Sequence, residues 1–163
     1  MQTTNQANKK PLPKWAVALI IIGVTLMVGV IGTLLGGKMR DGYRQPFGMA
    51  PDWLFPVAWT INYIAIGIAA WLTYVSNRDL ARRRNDFIWY GIHLFFNMLW
   101  PLFFFRLDLV IFAAIWLIFN ILSAFTVTCR FYKSNLAAGI IFTVYQFWLL
   151  YALYLNLGIM MLN

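Results

Sequence analysis

Residues 15–37 read WAVALIIIGVTLMVGVIGTLLGG, a stretch without one charged side chain. An α-helix needs roughly 20 apolar residues to cross the hydrocarbon of a bilayer. A secretory h-region is shorter than this run, and no small-residue cleavage site follows it, so residues 15–37 are expected to form a first membrane span. Working outward, four more stretches without charge repeat the pattern: 53–77, 87–105, 109–129 and 134–161. The expected fold is an all-α integral membrane protein, a five-transmembrane-helix bundle. Residues 14–163 form its single domain, and the polar segment 1–13 is expected to be a disordered cytoplasmic tail.

Composition agrees. Hydrophobic residues make up 62% of the 163-residue chain and charged ones 11%, against about a quarter charged in a soluble domain. The net charge of +8 lies between the spans and is read as topology rather than as a nucleic-acid signal. With alternating spans, Lys9, Lys10, Lys14, Arg78, Arg82, Arg83, Arg84, Arg130 and Lys133 share one face, while Lys38, Arg40, Arg44 and Arg106 share the other. Cationic loops favour the cytoplasm, which predicts a multi-pass cell-membrane protein with its N-terminus cytoplasmic and its C-terminus outside. Arg82-Arg83-Arg84 is expected at anionic headgroups.

Catalytic groups are scarce. No Asp, Glu, Lys or Arg falls well inside a span, which argues against an ion or proton pathway, and no internal repeat supports an inverted-repeat transporter. His93 is the single histidine and Cys129 the single cysteine. A hydrogen bond across helices is the expected role of His93, with haem ligation as the lesser alternative, because a metal site gathers several ligands. No metal site and no required cofactor are expected. Cys129 reads as a small buried residue.

The spans are instead rich in aromatic residues, with eight tryptophans among them. Trp15, Trp53 and Trp89 fall at span ends, where an interfacial belt explains them. Trp59, Trp100 and Trp148 fall deeper. Helical spacing puts Trp59, Tyr63 and Gly67 on one face, Asn97, Trp100 and Phe104 on a second, and Tyr145, Trp148, Ala152 and Asn156 on a third. Pro101 removes the hydrogen bond that would reach the Asn97 carbonyl, so this region is expected to be kinked, polar and turned inward. Asn62, Asn97 and Asn120 could equally be bridges between packed helices. The long connection 38–52, with Gly42, Pro46, Gly48 and Pro51, is expected to cover a pocket suited to a flat apolar ligand with a few polar edges.

Taken together these motifs resemble the tryptophan-rich sensory protein or translocator protein family (TspO/MBR, the peripheral benzodiazepine receptor family). The carrying residues are Pro51, Trp53, Trp59, Tyr63 and Gly67; then Asn97, Trp100, Pro101 and Phe104; then Tyr145, Trp148, Leu155 and Asn156. The resemblance implies a homodimeric five-helix bundle that binds porphyrins such as protoporphyrin IX, with Trp59, Tyr63, Asn97, Trp100, Phe104, Tyr145, Trp148 and Ala152 as ligand-binding residues. Composition and charge topology make the lipid bilayer the expected setting, with no nucleic-acid partner expected. Trp59 and Trp148 match tryptophans linked in some bacterial relatives to light- and oxygen-dependent porphyrin breakdown, which makes them the candidate catalytic pair should the chain act as an enzyme. Porphyrin or sterol transport is a further alternative. The first loop departs from the family pattern: its tryptophan is Gly48, one proline is Ala50, and Val144 replaces the proline before Tyr145. No sterol-recognition segment follows Asn163, so strong cholesterol binding is not expected.

Overall fold

The computed structural model describes residues 12–38, 42–77 and 79–163. Five helices occupy them: α1 (Lys14–Gly36), α2 (Leu54–Ser76), α3 (Leu80–Pro101), α4 (Val110–Ser134) and α5 (Leu136–Leu162). Each is long and apolar enough to cross a bilayer, and the chain is an all-α, multi-pass membrane protein. The expected tail 1–13 falls almost wholly outside the described residues.

Sequence boundaries based on charge put two helix ends too far inward, the start of α3 and the end of α4. α3 begins seven positions before Phe87, so Arg82, Arg83 and Arg84 lie on its first turns and not in a loop. Arg130 and Lys133 likewise lie on α4. Charge ends an apolar run, but it does not end a helix that continues into the headgroup region. Caps set the true starts. The Asp79 carboxylate accepts from the backbone N–H groups of Ala81 and Arg82, and Asn135 Oδ1 accepts from Ala138 at 3.1 Å. Both satisfy amides that the first turn leaves unpaired.

The helices pack as a ring in the order α1–α2–α5–α4–α3 and back to α1. A seam of small residues lets α1 close it. Thr25, Gly29, Gly32 and Gly36 share its buried face. A Cβ on Gly32 would meet the Met98 backbone at 3.1 Å, and one on Gly36 would meet Pro101 Cβ at 2.7 Å. Membrane helices associate through such close approach because lipid supplies no hydrophobic drive between them.

Pro101 reshapes the end of α3. Past it the chain runs through one π-turn, Leu102–Arg106, closed by the Leu107 N–H on the Leu102 carbonyl at 3.0 Å. Replacing the α ladder with wider bonds is a known outcome where a proline removes a donor. Asp108, at φ 56°, then turns the chain into α4.

Candidate functional site

Two ends of the ring are built differently. At the end where α2 stops and α3 starts, the interior is filled. Tyr90 packs on Phe131 and Phe142 with ring centroids 6.0 and 6.2 Å apart, and its hydroxyl meets Thr25 Oγ1 at 2.7 Å. A polar lock closes this end. Asp86, 1% exposed, accepts from Arg130 Nε at 2.8 Å, from Asn77 Nδ2 at 3.1 Å and from Ser134 Oγ at 3.3 Å. Asp86 lies one residue before the third charge-free stretch, so span counting placed it outside the bundle. The structure corrects that: a buried carboxylate ties α2, α3 and α4 together.

The other end is hollow. A cavity of about 920 Å³ lies between α1, α2, α3, α5 and the connection 42–53, near the top of the range of about 300–1,000 Å³ usual for small-molecule sites. Trp59, Trp100 and Trp148, from three helices, converge on it. The Trp59 ring centroid is 6.3 Å from that of Trp100 and 6.0 Å from that of Trp148. Tyr63 stands 5.9 Å from Trp59, and Phe104 stacks on Trp100 at 5.1 Å. Asn97 and Ala152 complete the wall among the anticipated residues. Ala152 matters by being small, since its methyl leaves space where a larger side chain would enter.

Seven of the eight anticipated residues therefore line the cavity. Tyr145 does not. It is fully buried behind the floor, where its hydroxyl accepts from Asn97 Nδ2 at 2.6 Å. Asn97 Oδ1 in turn accepts from the Tyr63 hydroxyl, so one amide bridges α2, α3 and α5. His93 is also outside the cavity, held between Ser123 Oγ at 3.2 Å and the Tyr145 hydroxyl at 3.1 Å. Both ring nitrogens are thus engaged by protein, which fits the cross-helix role and not iron ligation.

Three residues of the wall carry polar atoms without a partner. Trp100 Nε1, Trp148 Nε1 and Asn156 Oδ1 are buried and without a hydrogen-bond partner, and all three residues line the cavity. An unmade buried hydrogen bond costs about 1–3 kcal/mol. Asn156 shared the Tyr145 face in the sequence, but its role was not foreseen. Its Nδ2 donates to the Val110 carbonyl at 3.1 Å, while its Oδ1 has no partner.

The roof is held by α5. Tyr151 Oη donates to the Gly48 carbonyl at 2.9 Å and accepts from the Ala50 N–H at 3.0 Å. Tyr154 donates to the Phe47 carbonyl at 2.7 Å. Asn163 accepts from the Arg44 N–H at 2.8 Å and donates to its carbonyl at 3.2 Å. On the other side, Tyr43 donates to Asp108. Gly48, where the family pattern has tryptophan, sits at φ 74°, a backbone conformation that glycine adopts without steric cost.

A hollow five-helix membrane bundle whose chamber is walled by indoles and covered by the first loop is the class that fold and site define. The chain belongs to the TspO/MBR family, whose model matches residues 13–162. It is similar to the tryptophan-rich sensory protein of Cereibacter sphaeroides, 28% identical over 151 residues that cover 91% of this chain and 92% of that one. It also resembles the tryptophan-rich protein TspO of Chlorobaculum tepidum, 29% identical with 88% and 94% of the two chains covered. Protein CrtK of Rhodobacter capsulatus is 28% identical over 83% and 85%.

Proposed function

We propose that this protein is a membrane receptor or sensor that binds porphyrins and related flat hydrophobic ligands in the indole-walled cavity. The carrying observation is the convergence of Trp59, Trp100 and Trp148 on one chamber, with two of their N–H donors unpartnered. Flat aromatic walls suit a macrocycle through stacked and edge contacts, and the free donors suit acceptor groups on its rim. Titration of the reconstituted protein with protoporphyrin IX is expected to quench tryptophan fluorescence saturably. Trp59→Phe combined with Trp148→Phe is expected to weaken apparent affinity about tenfold or more, as loss of aromatic anchors does. Absence of saturable quenching in the unmodified protein would refute the reading.

Ring spacing supports a second reading, light- and oxygen-dependent porphyrin degradation. Trp59 lies within 6.3 Å, centroid to centroid, of two further indoles, close enough for one-electron oxidation of one ring to be shared with its neighbours. Under illumination in air, the porphyrin absorption band is expected to decay, and Trp59→Phe is expected to slow the decay. Decay in the dark or without oxygen would count against it.

Part of the same proposal is orientation. Lys14, Arg82, Arg83, Arg84, Arg130 and Lys133 lie at the sealed end, against Lys38, Arg44 and Arg106 at the cavity end, which supports a cytoplasmic N-terminus. A homodimer is proposed from family resemblance.

A further inference from the structure

Behind the cavity floor runs a line of buried polar groups whose direction can be worked out from its far end. The Ser123 hydroxyl donates to the backbone carbonyl of Asn120 at 2.7 Å. A carbonyl only accepts, and a serine has one hydroxyl proton, so that proton is committed. Ser123 Oγ therefore meets His93 Nδ1, 3.2 Å away, as an acceptor, and Nδ1 carries hydrogen. His93 is fully buried with no acid among its hydrogen-bond partners, so it sits there as the uncharged imidazole, leaving Nε2 bare. The Tyr145 hydroxyl, 3.1 Å from Nε2, donates to it. Tyr145 is then an acceptor towards Asn97, whose Nδ2 lies 2.6 Å away. That turns Asn97 Oδ1 to Tyr63, and the Tyr63 hydroxyl proton is consumed there.

Each step follows from the one before, and the last falls on a residue that lines the cavity. With its proton engaged, the Tyr63 oxygen offers a ligand only lone pairs. Bonds aligned in one direction polarise one another, which strengthens this acceptor. Trp148, 6.0 Å beyond Trp59 and also in the cavity lining, carries the opposite: a buried N–H donor without a partner.

We propose that this relay fixes Tyr63 as a hydrogen-bond acceptor in the cavity, with His93 and Ser123 as positioning residues, and so selects ligands that donate an N–H or O–H to Tyr63 while accepting from an indole. The proposal rests on the cavity being the ligand site and adds the polarity of the ligand that fits it.

The test uses the full chain in lipid nanodiscs. His93 is the only histidine, so the nitrogen-15 spectrum of its ring needs no assignment, and Nδ1 is expected to carry the proton. Binding is then compared for a 1,4-benzodiazepin-2-one with a free lactam N–H and for its N-methyl derivative. The free lactam is expected to bind about five- to tenfold tighter, the scale of one neutral hydrogen bond. Ser123→Ala, remote from the cavity, is expected to bring the ratio near one with the N-methyl compound held within about twofold, and Tyr63→Phe is expected to bring the ratio near one as well. A ring protonated at Nε2 would overturn the proposal, as would a ratio near one in the unmodified protein. A ratio that survives both variants would also overturn it, since it would report steric exclusion of the methyl group. If neither compound binds while protoporphyrin IX still quenches, the proposal fails and the receptor reading stands; if porphyrin quenching is lost as well, both fail.

Discussion

The same five helices make a filled end and a hollow end, and the difference lies in how each fills the space between the helices. At the filled end Asp86 accepts from Arg130, Asn77 and Ser134, so a buried charge is neutralised and hydrogen-bonded as burial requires. At the hollow end Trp100, Trp148 and Asn156 keep atoms unpaired. Thr73 Oγ1 at the filled end is unpaired too, so what separates the ends is packing: one interior is filled with side chains and the other leaves a chamber.

Breaking the lock is expected to have the largest effect. Asp86→Ala leaves the Arg130 guanidinium without its carboxylate, and loss of one partner of a buried pair costs about 3–5 kcal/mol. Because the Arg130 side chain is 25% exposed, about 2–4 kcal/mol is the expected loss, read as a lower thermal unfolding temperature. Porphyrin affinity measured well below that temperature is expected to change little. An equal loss of affinity would mean the two ends are not separable.

A matched pair on α5 sharpens the contrast. Ala138 is fully buried at the filled end, and Ala152 lines the cavity. Ala138→Leu is expected to destabilise by about 1–3 kcal/mol through overpacking. Ala152→Leu, with space to enter, is expected to change stability by no more than about 0.5 kcal/mol and to lower porphyrin affinity more than tenfold by occluding the site. Equal destabilisation by both would show that the cavity is not preformed.

The smallest effect is expected at the roof. Tyr154→Phe removes one hydrogen bond to the Phe47 carbonyl, worth about 1 kcal/mol. Amide hydrogen exchange over residues 42–52 is expected to rise about fivefold, with global unfolding unmoved.

Hydropathy made the five spans legible, because a bilayer demands length and apolarity of every helix that crosses it. Helix ends were not legible in the same way: the Asp79 cap starts α3 inside a charged stretch that a hydropathy reading assigns to a loop. In the site, periodicity placed Trp59, Trp100 and Trp148 on inward faces, but it carries no information about depth across the ring. For that reason Tyr145, on the same stripe of α5 as Trp148, proves to lie beneath the floor. The length of the connection 38–52 signalled a roof, but how it is fastened left no local signal. Its fastening joins Gly48 and Phe47 to tyrosines more than a hundred positions away, and the partners are backbone carbonyls that any residue supplies.

Ring order also constrains how the protein comes into being. α5 follows the other four helices in the chain, yet it sits between α2 and α4, and it supplies Trp148 as well as the tyrosines that clasp the loop. Without that helix, Trp59 faces an open trough and the loop has nothing on that side to fasten to. The wall of the chamber is therefore completed only when α5 joins the other four helices, so a chain cut after four spans keeps the membrane anchor without a closed chamber.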